Sequence, residues 1–299
     1  MLLDSASLYF RAFYGVPETV VAPDGTPVNA VRGLVDMIAM LVGKYRPDRL
    51  VACMDADWRP AFRVAAVPSY KAHRVAPAGG EEVPDALSPQ VPILTAVLEA
   101  IGIATLGVIG HEADDVIGTL AVRHQGPVDI VTGDRDLFQL VRDDKPVRVL
   151  YTAKGMRDLP SVDEAEVTKR YGIPGRSYAD FALLRGDPSD GLPGVPGVGD
   201  KTAAGVLERY GSIDALLVAL DGPADGLSPT VRAKLLAARD YLVSARPVVA
   251  VVCDLPVPAE LDDLLPTQAA DPAALVALSE RWGLDAPLNR LLAALSRAR

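Results

Sequence analysis

Val128-Asp129-Ile130-Val131-Thr132-Gly133-Asp134-Arg135-Asp136 is a short β-rich run that stops at a glycine and then presents two carboxylates. The same pattern recurs at Leu2-Leu3, which leads to Asp4, and at Leu50-Val51-Ala52-Cys53-Met54, which leads to Asp55. Residues 103–108 lead through Ile109-Gly110-His111 to Glu112-Ala113-Asp114-Asp115, and one more β-rich run is Val147-Arg148-Val149-Leu150. Helical patterns lie between these runs. Residues 28–45 carry Val31, Leu34, Val35, Ile38, Leu41 and Val42 on one stripe at roughly 3.6-residue spacing. Residues 91–101 and 112–124 read as helices too. This alternation predicts an α/β fold, a wound and mostly parallel sheet with helices on both faces.

In such a sheet the C-terminal strand ends share one edge, and ligands bind there. Asp4, Asp55, Glu112, Asp114, Asp115, Asp134 and Asp136 are therefore expected in one crevice. Two like charges about 4 Å apart cost about 4 kcal/mol at an effective dielectric near 20, so such a cluster needs protons or cations. Oxygen-only ligation, without His or Cys, selects Mg²⁺ or Mn²⁺ over Zn²⁺. Two such ions can activate a water and stabilise the leaving oxygen of a phosphodiester. Any one of these acids alone reads equally as a helix N-cap. Glu-x-Asp-Asp and Asp-x-Asp after neighbouring strands do not.

The chain has 299 residues, 30 Lys plus Arg against 39 Asp plus Glu, and a formal charge of −9. An apolar share of 49% excludes general disorder and supports a sizeable core. No apolar run is long enough for a membrane span, and Asp4 stands where a signal peptide would be basic. Cys53 and Cys253 form neither a disulfide framework nor a metal spacing, so a reduced, cytoplasmic protein is expected. Acidity argues against nucleic acid only if the charge is spread. Clustering nine carboxylates, as many as the net charge, leaves a near-neutral remainder that can carry a basic patch.

The second half is mostly helical. Ser161-Val162-Asp163-Glu164 reads as a capping box opening a helix that ends near Tyr171-Gly172. Helices are expected over 178–184, 201–210, 212–220 and 228–243, then a strand at 248–252 and Leu- and Ala-rich helix to the end. Arg185-Gly186-Asp187-Pro188-Ser189-Asp190-Gly191 holds another acid pair in turn-forming company. Next comes Leu192-Pro193-Gly194-Val195-Pro196-Gly197-Val198-Gly199-Asp200-Lys201-Thr202-Ala203, whose glycines admit close backbone approach before a helix. Its amides and Lys201 suit a phosphate oxygen, and an ordinary interhelical loop is the alternative. Residues 58–80 contain Arg59, Arg63, Lys71, His73 and Arg74, three prolines and no acid. A basic insertion of this length is functional or mobile, or else a solvated surface loop.

Taken together these motifs resemble the 5′ nuclease, or flap endonuclease, family, and within it the 5′–3′ exonuclease domains of bacterial family A DNA polymerases and their free-standing homologues. The resemblance runs from residue 1 to about 255. It rests on Glu112-Ala113-Asp114-Asp115, on Thr132-Gly133-Asp134-Arg135-Asp136, and on Gly186-Asp187-x-Ser189-Asp190 leading into Leu192-Pro193-Gly194-Val195-x-Gly197-Val198-Gly199-x-Lys201-Thr202-Ala203.

The resemblance implies metal-dependent hydrolysis of DNA near a 5′ end, at a nick or at the base of a 5′ flap, in replication and repair. Asp4, Asp55, Glu112 and Asp114 match a first metal cluster. Asp134, Asp136, Asp187 and Asp190 match a second, with Asp115 between them. Residues 192–210 match a helix–hairpin–helix-like element that binds duplex DNA, often with a K⁺ ion on its carbonyls, here through Gly194, Val195, Gly197, Val198, Gly199, Lys201 and Thr202. Residues 58–89 match the family's arch, with Arg63, Lys71 and Arg74 at its basic positions acting on the scissile phosphate. Tyr70 there stacks on a terminal base or is a packed aromatic.

The expected division is a nuclease core at 1–160, a helical DNA-binding module at 161–255 and a C-terminal segment at 256–299 packing on the core. Gly191 stands where bacterial relatives commonly have Asn, His111 where Tyr is common, and Glu81, Glu82 and Asp85 make the arch's end acidic. The chain ends far short of a polymerase domain, so a stand-alone nuclease is expected. It would be monomeric, nucleoid-associated, and paired functionally with a separate polymerase and ligase. A metal-dependent ribonuclease on a related sheet and a non-catalytic DNA-junction binder are the competing readings.

Overall fold

The computed structural model describes residues 1–222 and 226–297; the end of the expected C-terminal segment, at 298–299, lies outside them. Six strands, β1 (Leu2–Asp4), β2 (Val51–Cys53), β3 (Ala104–Leu106), β4 (Val128–Thr132), β5 (Val147–Tyr151) and β6 (Ser161–Val162), form one sheet in the order β3-β2-β1-β4-β5-β6. The first five are parallel, and β6 closes the edge antiparallel to β5. Successive strand residues point to opposite faces. Leu2, Val51, Ile130 and Val149 join one core, and Leu3, Ala52, Val131 and Leu150 join the other. Both faces are covered by helices, so these strands read as continuous apolar runs rather than alternating ones.

Helices α1 (Ser5–Gly15), α2 (Asn29–Tyr45), α3 (Ala61–Ala66), α4 (Gln90–Ile101) and α5 (Ala113–Arg123) belong to the first half. The α2 stripe of Val31, Leu34, Val35, Ile38, Leu41 and Val42 is buried as its period requires. Sequence reading missed α1, whose start is set by Asp4: its carboxylate accepts the Ser7 N–H at 3.1 Å. The N-cap reading of that acid is thus correct without excluding a second role.

Helices α6 (Glu164–Tyr171), α7 (Tyr178–Arg185), α8 (Asp200–Tyr210), α9 (Ile213–Leu220), α10 (Pro229–Ala237), α11 (Arg239–Ser244) and α12 (Arg246–Val249) build the helical module. Three expectations are corrected here. Ser161 does not cap α6, because it pairs with Leu150 in the sheet; Asp163 caps it, accepting the Glu166 N–H at 2.9 Å. The long helix at 228–243 breaks at Ala238 into α10 and α11. The expected strand at 248–252 is instead the end of α12, where Pro247 occupies the first turn, followed by extended chain. That chain is pinned by side chains rather than a ladder: Val251 N–H donates to Gln139 Oε1 at 3.0 Å and Val252 N–H to Asp115 Oδ1 at 2.9 Å.

Helices α13 (Pro272–Trp282) and α14 (Asp285–Leu295) return to the second core, where Leu288, Leu291 and Leu295 join the α2 stripe. Arg290 and Asp36 add an exposed two-point ion pair across that contact, at 2.8 and 2.9 Å. No helix among the described residues is long and apolar enough to cross a membrane.

Candidate metal centre and nucleic-acid interface

From β1 the chain moves outward one way to β2 and β3, then returns to the other side of β1 for β4 and β5. The crevice of a parallel sheet opens where the order reverses, between β1 and β4. Asp4 ends β1 and Asp134 follows β4. Thr132 links them, its hydroxyl donating to Asp4 Oδ2 at 2.6 Å while its Oγ1 accepts the Asp134 N–H at 2.8 Å. Asp134 Oδ1 accepts the Asp136 N–H at 2.8 Å, which curls the Asp-x-Asp segment over the strand end. Asp55, beyond β2, accepts the Ala113 N–H at 2.7 Å and so anchors the start of α5.

A cavity of about 230 Å³ opens there, lined by Asp4, Asp55, Glu112, Asp114 and Asp134, with Lys71, Arg74 and Glu81 reaching in from the arch. Burial pushes the Asp4 carboxyl up to about 7, against the Thr132 hydrogen bond and helped by the charges of Asp55 and Asp134. Asp114 is held well above the carboxylate range by burial and by Asp134, Asp4 and Glu112, and Asp55 is raised by burial first. These shifts mark carboxyls that are buried first and crowded by like charges second. A divalent cation is the natural remedy.

The second acid group meets the first through Asp136, which burial and the charges of Asp134, Asp190 and Asp187 raise well above its ordinary value. Asp190 is pushed up to about 6, burial outweighing the nearby Lys71 and Arg74. Asp187 accepts from the Ser189 N–H at 2.9 Å and faces Arg185 at 3.5 Å and Arg135 at 3.6 Å. Among the described residues no three His, Cys, Asp or Glu side chains are gathered as a ready-made ligand cage. Asp4, Asp55, Glu112, Asp114 and Asp134 offer an all-oxygen donor set around one cavity, which fits a divalent ion, while Asp136, Asp187 and Asp190 lie outside its lining.

Asp115 departs from its expected place between the clusters. It is fully buried, beside the cavity rather than lining it. Arg63 donates to both its oxygens, at 3.0 and 2.6 Å, and the Val252 N–H, the Glu112 N–H and the His111 ring are further partners. Arg63 is itself only 3% exposed and also pairs with Glu112, so it cannot reach a phosphate from this position. Burial depresses the Arg63 guanidinium, yet Glu112 and Asp115 more than compensate and its pKa ends above the ordinary value. Tyr70 is buried too, and its hydroxyl donates to Glu112 at 2.8 Å; the packed reading holds and the stacking role does not. Phe62 carries the Arg63 guanidinium 5.0 Å from its ring and packs against His111, the residue that replaces the family's Tyr.

The arch is therefore no loosely tethered loop at its base. Lys71 lies in the left-handed region at φ 46°, a conformation that persists only when its surroundings enforce it. Its N–H donates to the Asp190 carbonyl at 3.0 Å and its ammonium pairs with Glu112 inside the cavity. Arg74 donates to Asp190 Oδ1 at 3.1 Å and to the Ser189 carbonyl at 2.8 Å. Ser69 Oγ donates to the Gly191 carbonyl at 2.8 Å. Gly191 has φ +73°, and a Cβ there would stand 2.1 Å from the Ser69 carbonyl oxygen. The lack of a side chain at 191 thus makes room for the arch. Sequence reading offered no sign of this contact.

The glycine-rich loop begins with Asp187 and Leu192 exchanging backbone hydrogen bonds at 3.0 and 2.8 Å. Gly194 turns against Gly186 and Arg185, whose backbone atoms leave no space for a Cβ. Val195 and Val198 are buried in the core, so their side chains are anchors and only their backbone can serve a ligand. Gly197 and Gly199 are exposed, Gly199 is the N-cap of α8, Lys201 projects into solvent and Thr202 is half-buried. Lys234 donates to the Gly197 carbonyl at 2.9 Å.

Acids along the switch-point edge of a parallel sheet, with the basic residues Lys71 and Arg74 of the arch among them and the arch base docked on Asp190 and Gly191, define a candidate phosphodiester-processing site. Two family models divide the chain: the 5′-3′ exonuclease N-terminal resolvase-like domain matches residues 1–172, and the 5′-3′ exonuclease C-terminal SAM fold matches 173–273. The protein belongs to the 5′-3′ exonuclease family. It is 60% identical over 301 aligned residues to a 5′-3′ exonuclease of Streptomyces coelicolor, covering 99% of this chain and 100% of the relative. It is 41% identical to DNA polymerase I of Mycobacterium bovis over 91% of this chain, which corresponds to 29% of that longer protein. Its fold also matches a crystal structure of the phage T5 D15 flap endonuclease in complex with DNA and metal ions, with a TM-score of 0.64 at 18% identity, covering 100% of this chain and 98% of that one.

Proposed function

We propose that the protein is a divalent-metal-dependent, structure-specific 5′ nuclease that hydrolyses DNA phosphodiesters at 5′ ends, at nicks and at the base of 5′ flaps. The observation that carries this reading is the cavity at the β1/β4 switch point that gathers Asp4, Asp55, Glu112, Asp114 and Asp134, where burial and then the neighbouring charges raise Asp4 and Asp114. Two or more Mg²⁺ or Mn²⁺ ions would be held by Asp4, Asp55, Glu112 and Asp114 and by Asp134, Asp136, Asp187 and Asp190, supplying an activated water and charge neutralisation at the phosphate. Hydrolysis leaves a 5′-phosphate on one product and a 3′-hydroxyl on the other.

The chain's own residues divide the remaining work. Lys71 presents an ammonium inside the cavity, where a scissile phosphate oxygen can take it over from Glu112. Arg74, half-exposed above Asp190, steers the same phosphate. Arg63 and Tyr70 are positioning residues that hold Glu112 from behind. The loop from Gly194 through Gly199, with Lys201 and Thr202, offers backbone amides and one ammonium to duplex phosphates, a mode of binding independent of base sequence. A K⁺ ion on its carbonyls, a monomeric state, functional partnership with a polymerase and ligase, and a cytoplasmic, nucleoid-associated location belong to the same reading. So does the division at residues 160 and 255.

The test is a labelled 5′-flap duplex incubated with Mg²⁺ or Mn²⁺, beside RNA of the same shape and an Asp134→Ala control. Cleavage of the DNA at the flap base, lost in the variant, supports the reading. Uncut DNA, preferred cutting of RNA, or undiminished cutting by the variant sinks it.

A further inference from the structure

The arch continues past Lys71 into a tight hairpin. Ala76 N–H donates to the Gly80 carbonyl at 3.0 Å, Glu82 N–H to the Arg74 carbonyl at 2.7 Å, and Gly79 and Gly80 both take positive φ. This hairpin sets Glu81 on the wall of the metal cavity. The same residue, with Phe10, Trp58 and Arg74, also lines a larger outer cavity of about 1100 Å³. These four residues are the threshold between the two spaces.

The charges around the outer cavity are unbalanced. Glu81, Glu82 and Asp85 line it, against His73 and an Arg74 already committed to Asp190 and the Ser189 carbonyl. Glu81 is half-buried, and burial first and then the charge of Asp55 raise its carboxyl against the opposing charges of Lys71 and Arg74, so it stands in the field of the inner site. A single-stranded extension leaving the metal cavity by this route lays successive phosphates against three carboxylates. Glu82 and Asp85 line only the outer cavity, away from the inner acids that divalent ions would offset. A 5′ end with little or no unpaired extension avoids the contact.

We infer that Glu81, with Glu82 and Asp85 behind it, is a specificity-determining gate that turns the nuclease away from long single-stranded 5′ extensions and toward nicks and very short flaps. The inference rests on the proposed nuclease reading, from which its test is separable. Wild type and Glu81→Gln are compared on a nicked duplex, a one-nucleotide flap and a long flap, with kcat and KM resolved. Binding of the same DNAs is measured by fluorescence anisotropy in EDTA.

The ratio of long-flap to nick kcat/KM is expected to rise about three- to tenfold in Glu81→Gln, mainly through KM, and further in Glu81→Lys or in Glu82→Gln with Asp85→Asn. The wild-type preference is also expected to shrink as salt screens the repulsion. A ratio that is unchanged by the variants, or insensitive to salt, overturns the gate. So does a loss in Glu81→Gln on all substrates alike that excess Mn²⁺ restores, because Glu81 would then be a metal-site carboxylate. If no DNA is cut by any form, the nuclease reading fails while the anisotropy ratios still decide the gate.

Discussion

Arg63 and Asp115 share two hydrogen bonds, at 3.0 and 2.6 Å, between side chains that water scarcely reaches. One comes from the arch insertion and the other from the third position of α5. The pair therefore fastens the arch to the helix that carries Glu112 and Asp114. Removing one member of such a pair strands a buried charge.

Arg63→Met is accordingly expected to lower stability by about 3–5 kcal/mol, because Asp115 and Glu112 then lose their shared cation in a dry environment. Urea unfolding of the two proteins measures this. A change below about 1 kcal/mol, the range of exposed ion pairs, would show that the guanidinium is not holding the acids together.

Asp114 and Asp115 are adjacent, yet their substitutions should separate cleanly. Asp114→Asn removes a carboxylate whose charge its neighbours oppose, so the metal-free protein keeps or gains thermal stability while its response to Mn²⁺ collapses. Asp115→Asn leaves Arg63 half-satisfied, so the metal-free protein melts lower and the Mn²⁺ response persists. Thermal melts with and without Mn²⁺ read both outcomes, and equal behaviour of the two variants would refute the assignment.

Stability of the metal-free protein should fall as pH rises through the cavity acids. Asp4 is raised to about 7 and Asp190 to about 6, with Asp55, Asp114 and Asp136 also raised. Between about pH 4 and pH 7 the folded state therefore binds more protons at these groups than the unfolded chain does. Their contribution is fully present below the unfolded carboxylate pKa and is lost as pH passes the folded values. The melting temperature in EDTA is expected to be lower at about pH 8 than at about pH 5, and Mg²⁺ or Mn²⁺ should recover the difference at the higher pH. A melting temperature that climbs with pH in EDTA would contradict the convergence of the acids.

Gly191→Ala sets a methyl group against the Ser69 carbonyl at a backbone conformation that L side chains rarely adopt. The arch base is expected to lift from Asp190, which exposes residues 72–82 to protease and lowers cleavage of DNA by about tenfold or more through displacement of Lys71. Limited proteolysis alongside the flap assay checks it. Unchanged digestion and activity would mean that the arch docks by other contacts.

Much of the molecule could be read before its structure was known, for a physical reason that differs by feature. The Leu2, Val51, Ala104, Val128 and Val147 strands and the α2 stripe were legible because β-runs and 3.6-residue periodicity are local properties. Acids placed directly after strands were legible as a shared edge because parallel topology brings strand ends together whatever the side chains are. The glycines at 194 and 197 announced a turn that only a residue tolerant of positive φ completes.

Tertiary structure decided what long-range contacts decide. Consecutive helix residues point about 100° apart, so Asp114 faces the cavity while Asp115 faces Arg63, and the identical letters carry no sign of it. The family resemblance implied substrate handling for Arg63 and left Tyr70 as either a stacking or a packed aromatic, but docking of the arch buried both. Residues 248–252 have strand propensity and are not a strand, because Gln139 and Asp115 rather than a neighbouring strand satisfy their backbone. By itself the sequence determined that the carboxylates after β1, β2, β3 and β4 would share one edge of a parallel sheet. Which carboxylates line the cavity and which pair inside the fold was decided only by packing, since burial and pairing depend on partners tens of residues away in the chain.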